Sequence, residues 1–79
     1  MTNKEMMRQL YERMAAEQQK YKAWLLEQPP NVILDNACKF TVREDIVMEL
    51  EVLELTDAQA AALLRSRTPL ADVYKAWQQ

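Results

Sequence analysis

Glycine is absent from this 79-residue chain, and so is histidine. Without glycine, any turn that needs a positive φ must place that strain on a residue carrying a side chain. The absence also argues against Asn-Gly hairpins and against glycine-rich phosphate loops. Without histidine, the commonest general base and the commonest metal ligand are both missing. The single cysteine, Cys38, cannot close an internal disulfide, and alone it cannot assemble a zinc site. A reducing cytoplasm is the simplest setting for such a chain. No stretch approaches the roughly 18 apolar residues of a membrane span, and the N-terminus carries no signal-like run. No cofactor, metal or membrane is expected.

The residues that are present favour helix. Alanine, leucine, glutamate, glutamine, lysine and methionine dominate, and prolines number only three. The threonines mark the starts. Thr2 with Glu5, Thr41 with Glu44 and Thr56 with Gln59 fit the capping box, while Thr68 precedes Pro69 as a cap precedes a first-turn proline. Pro30, behind an extended Pro29, supplies a fifth start. These signals predict an all-α single domain over residues 1–79. Its five helices lie at about 3–27, 30–39, 42–53, 57–65 and 69–78, a long one and a cluster of four short ones.

The long helix carries an apolar stripe of Met7, Leu10, Met14, Tyr21, Trp24 and Leu25, interrupted by Gln18. Four helices of about ten residues each span about 15 Å apiece, against roughly 36 Å for the first. The expectation is that they cover its C-terminal half, around Tyr21, Trp24 and Leu25. Met6, Met7, Leu10, Tyr11 and Met14 then form an exposed strip suited to a protein partner, because methionines adapt to irregular surfaces. The plainer reading makes the same residues ordinary core.

Charge is unevenly spread along a chain of net charge −2. Residues 29–55 hold six of the 12 acids against Lys39 and Arg43 alone. Glu44, Asp45, Glu49, Glu51 and Glu54 form a candidate acidic surface, either simply solvated or presented to a basic groove as a phosphate mimic. Catalysis by these carboxylates would need an apolar cleft around one of them, whereas acids early in a helix are favoured by its dipole. Cys38, without histidine to activate it, is expected to be a small buried hydrophobe. Trp24 and Trp77 are expected as core or core-edge anchors rather than base-stacking platforms.

The stretch Gln59–Trp77 has the outline of a helix-turn-helix DNA reader. Its second helix, however, opens Pro69, Leu70, Ala71, Asp72, where a reader places polar and cationic groups. Direct nucleic-acid binding is therefore the alternative rather than the leading reading.

Three pieces carry a family resemblance: EQQKYKAWLLEQPPNVILDNACKFTVREDIV (Glu17–Val47), LTDAQAAALL (Leu55–Leu64) and PLADVYKAW (Pro69–Trp77). Together they resemble a short helical family of unknown function. That family is met in mobile elements and phage-related regions of gut anaerobic bacteria, often inside or beside larger mobilisation proteins. Its members often continue past the final tryptophan, and it implies no catalytic residues. What the resemblance implies is a non-enzymatic inhibitor or adaptor that binds a bacterial host protein, such as a defence nuclease of the RNA-guided or restriction type. A self-associating module, with helix one pairing with its copy through the methionine strip, is a further reading.

Overall fold

A computed structural model describes residues 2–77. Among the described residues the chain forms four α-helices and one 3-10 turn, without a strand. They are α1 (Asn3–Leu26), α2 (Pro30–Met48), the 3-10 turn (Leu50–Leu53), α3 (Asp57–Arg65) and α4 (Pro69–Trp77). The all-α bundle expected from composition and capping is what forms.

Four of the five expected starts hold. Thr2 is extended, and its hydroxyl accepts the Glu5 N–H at 3.2 Å. Thr56 and Gln59 form a complete capping box, with reciprocal bonds of 3.1 and 2.9 Å. Pro29 is extended and Pro30 opens α2. Thr41 is different. It sits inside a continuous 19-residue α2, and its hydroxyl donates to the Ala37 carbonyl at 3.1 Å. A threonine can serve a helix in two ways, as a cap or by bonding back one turn, and nothing between Lys39 and Val42 breaks the backbone. The expected second and third helices are therefore one.

That fusion reverses the expected coverage of α1. A 19-residue helix is about 28 Å long, so α2 runs antiparallel beside most of α1 instead of stopping near its end. It delivers Ile46, Val47 and Leu50 to the N-terminal half of α1, where they join Leu10, Met14 and Leu70 in one buried cluster. Short links then confine α3 and α4 to the same region. The Asn3 side-chain amide donates to the Leu55 carbonyl at 3.3 Å and to the Asp57 carboxylate at 2.7 Å, pinning the start of α3 beside the start of α1. Arg13 donates to the Leu64 and Ser66 carbonyls, holding the end of α3.

The expected N-terminal strip is consequently interior. Leu10 and Met14 are 0% exposed, Met6 is buried and Met7 half-buried against the core. Only Tyr11, at the stripe's edge, stays half-exposed. The premise of an uncovered methionine surface, for a partner or for a second copy, fails because the chain's own α2, α3 and α4 occupy it.

The missing glycine leaves a trace at one point. Glu54 adopts φ 50°, ψ 50° where the chain turns out of the 3-10 segment. A side-chain-bearing residue there costs about 1–2 kcal/mol.

Candidate protein-contact surfaces

At mid-length α1, α2 and α4 meet at a polar joint. Gln18, which breaks the apolar stripe of α1, is buried. Its amide donates to the Phe40 carbonyl at 3.1 Å, and its oxygen accepts from Arg43 Nε at 3.1 Å. Arg43 is itself buried, lies 4.5 Å above the Tyr21 ring and reaches Glu17 at 3.9 Å. The Glu17 carboxylate accepts the Leu70 and Ala71 N–H groups at 2.9 and 3.0 Å, so a residue of α1 caps α4. This satisfies the orphan donors of a helix start, the role expected of Thr68. Among the described residues no buried side-chain nitrogen or oxygen lacks a partner.

This joint decides how the Gln59–Trp77 segment is presented. Pro69 and Leu70 are buried against the core, and the Leu70 and Ala71 amides are occupied by Glu17. The helix start that a DNA reader inserts among base edges faces inward here.

Tyr21 links the joint to the α1–α2 hairpin end. Its hydroxyl donates to the Asn36 side chain at 3.3 Å and its ring stacks on Trp24, with centroids 5.9 Å apart. The Lys39 ammonium lies 5.6 Å from the Tyr21 ring and 5.5 Å from that of Tyr74, so α4 runs from Glu17 towards the hairpin end. Burial pushes the Tyr21 phenol above its usual pKa, the Arg43 cation opposes the shift and Tyr74 adds to it.

Beyond the joint only the end of α4 accompanies α1 and α2, and apolar side chains remain outside. Trp24 is 48%, Leu26 66% and Leu34 75% exposed. Trp77, at the end of the inward row of α4, is also half-exposed. Among the described residues neither indole N–H has an acceptor. Cys38, expected inside, is exposed on the outer side of α2. Met48 and Val52 are exposed too, but as separate side chains next to Glu49 and Glu51.

The five acids do not share one face. Asp45 on α2 and Glu49 just past its end are exposed, while the adjacent Glu44 turns away and is half-buried. Glu51 and Glu54 line an open cleft of about 850 Å³ whose other wall carries Lys4, Arg8 and Tyr11. A smaller apolar groove of about 250 Å³ lies at the hairpin end between Leu25, Leu26, Ile33, Ala37 and Phe40. Sequence periodicity had no means of flagging Leu26 and Leu34, which are simply off the buried rows.

A family model described as Protein of unknown function (DUF3848) matches residues 6–79, and so spans the joint, the hairpin end and all four helices. The chain belongs to that family. Searches of curated proteins and of solved structures returned no match. Family membership therefore brings a shared helical domain and no assigned chemistry. No described helix is long and apolar enough to cross a membrane, and no described group of His, Cys, Asp or Glu is placed to hold a metal ion.

Proposed function

We infer that this member of the family is a non-enzymatic protein-contact module, anchored through Trp24 and Trp77. The observation that carries the reading is the pair of half-exposed indoles, Trp24 on α1 and Trp77 at the end of α4. Tryptophan is enriched among the few residues that dominate interface energies, because it offers large apolar area and one polar handle. Tyr21 stacks beneath Trp24 and is fixed by Arg43 and Asn36, so that anchor is held in place before any partner arrives. The buried polar groups are spent on joining helices, which supports a binding role over a catalytic one.

The occupant we assign is a folded protein of a bacterial host, in the cytoplasm. In its most specific form the module is an inhibitor or adaptor of a mobile genetic element or phage, of the anti-CRISPR or anti-restriction type, holding a defence nuclease. That specific form rests on the family resemblance of the sequence pieces quoted above.

Immobilised wild type, Trp24→Ala, Trp77→Ala and Tyr11→Ala, each checked for unchanged helical circular dichroism, provide the test. Tyr11 is as exposed as Trp24 but lies on another side. Proteins retained by wild type and Tyr11→Ala are expected to be lost from both tryptophan variants, with affinity reduced about 30-fold, as for an interface anchor. Retention of the same proteins by all four overturns the reading.

A further inference from the structure

Both cavities are lined by the same flank of α1, the cleft against the 3-10 segment and its exit, the groove against α2. Lys4, Arg8, Tyr11, Ala15, Lys22 and Leu26 recur at helical spacing, so they form one row along α1. The first three line the cleft and the last two line the apolar groove. Arg13 and Glu17, which hold α3 and α4, occupy the other flank of α1. The result is a front along α1, flanked by the 3-10 segment at the N-terminal cleft and by α2 at the hairpin.

The charges on this front are sorted by wall. The α1 wall of the cleft carries Lys4, Glu5 and Arg8, a net cation, and the facing wall carries Glu51 and Glu54. Among the described residues the ion pair that forms is Arg43–Glu17, and none spans the cleft. Lys4 and Arg8 thus line one wall and Glu51 and Glu54 the other, and the apolar groove lies at the other end of the same flank of α1.

We propose that this front pairs with a second copy of the chain about a two-fold axis running along the groove. That operation exchanges the walls. Lys4 and Arg8 of each copy then oppose Glu51 and Glu54 of the other, while Leu26, Ile33, Ala37 and Phe40 meet at the shared hairpin end. A two-fold interface must be self-complementary, and a front with cations on one wall and anions on the other meets that condition. The product is a four-helix bundle in which each α1 lies antiparallel to the α2 of the other copy, the ordinary arrangement of such bundles. A front about 36 Å long and two helices wide offers about 700 Å² per copy, close to the ~800 Å² of a standard specific interface. The surface is distinct from the tryptophan side, so the dimer leaves both pairs of indoles free.

Sedimentation equilibrium of the full chain tests this. Wild type is expected at twice its 9.3 kDa. Leu26→Glu, on an already exposed position, is expected to be a folded monomer. Arg8→Glu and Glu54→Arg each create like-charge contacts in a homodimer and are expected to weaken it about tenfold. Mixing the two separately purified variants restores opposite charges at both contacts, and a heterodimer as tight as wild type is expected. A wild type that stays monomeric at every soluble concentration overturns the proposal and leaves the front to a helix of another protein. A dimer indifferent to Leu26→Glu, or a mixture no tighter than its components, overturns it as well. None of these results bears on whether Trp24→Ala loses a host protein, so the two readings fail separately.

Discussion

The two ends of the molecule use the same materials differently. At the N-terminal end of α1, four segments surround Leu10 and Met14 and close every route to solvent. Towards the hairpin end, α1 and α2 pack on each other with only the last turns of α4 beside them, and Trp24, Leu26 and Leu34 remain outside. The difference is the number of helices available to cover them. A pair of helices buries only the stripe between them, whereas a third and fourth turn two stripes into an enclosed core. The end left thin is therefore where surface is free for contact, and the thick end holds the fold together.

The sharpest way to break that comparison is to truncate one leucine at each end. Leu10→Ala is expected to lower the unfolding free energy by about 3 kcal/mol, from lost burial plus a cavity that closely packed neighbours cannot refill. Leu34→Ala is expected to change it by less than about 0.5 kcal/mol. Urea titrations of the two variants, followed by circular dichroism, read both numbers. Similar losses would mean that the hairpin end is covered in solution.

The joint between the ends gives the next largest effect. Arg43→Met strands Gln18 and removes the cation beside Glu17, and a loss of about 2–3 kcal/mol is expected. Adding Gln18→Leu removes the stranded group, and part of the loss should return. If the double variant is no better than the single one, packing on Tyr21 rather than hydrogen bonding is what Arg43 contributes.

The smallest effect is in the pH dependence. The Tyr21 phenol has a folded pKa raised above its unfolded value near 10, so the folded state holds this proton more tightly. The stability it contributes is complete below that value and is lost as pH rises through the folded pKa. Unfolding measured from pH 9 upward should show a decline that Tyr21→Phe reduces, and the Tyr21 phenol should titrate above its usual range in tyrosinate absorbance. A Tyr21→Phe variant with the wild-type decline would remove the joint's influence on the hairpin end.

Some of this was legible beforehand and some was not. Thr2, Pro30, Thr56 and Pro69 announce helix starts because capping acts within four residues, and the chain itself supplies both partners. Thr41 misled for the same reason. Its local pattern fits a cap, and only the unbroken backbone around it turns its hydroxyl back to Ala37. A helix ending before Thr41 would reach only the C-terminal half of α1, whereas the continuous α2 reaches Leu10 and Met14. Gln18 looked like a flaw in a stripe, yet it is the residue Arg43 needs, 25 positions away. A polar interruption at an inward position, paired with an arginine at an inward position of the next helix, is the signal that could have found the joint.

The sequence by itself determined that the protein is helical, where most helices begin and which rows of each helix are apolar. These follow from hydrogen bonds and side-chain spacing inside single segments. Only the tertiary structure decided which half of α1 is enclosed, that Glu17 caps α4 from 53 residues away, and that cations and anions line opposite walls of one front. Those outcomes depend on how segments distant in sequence meet, and helix length and link length settle that before any single side chain does.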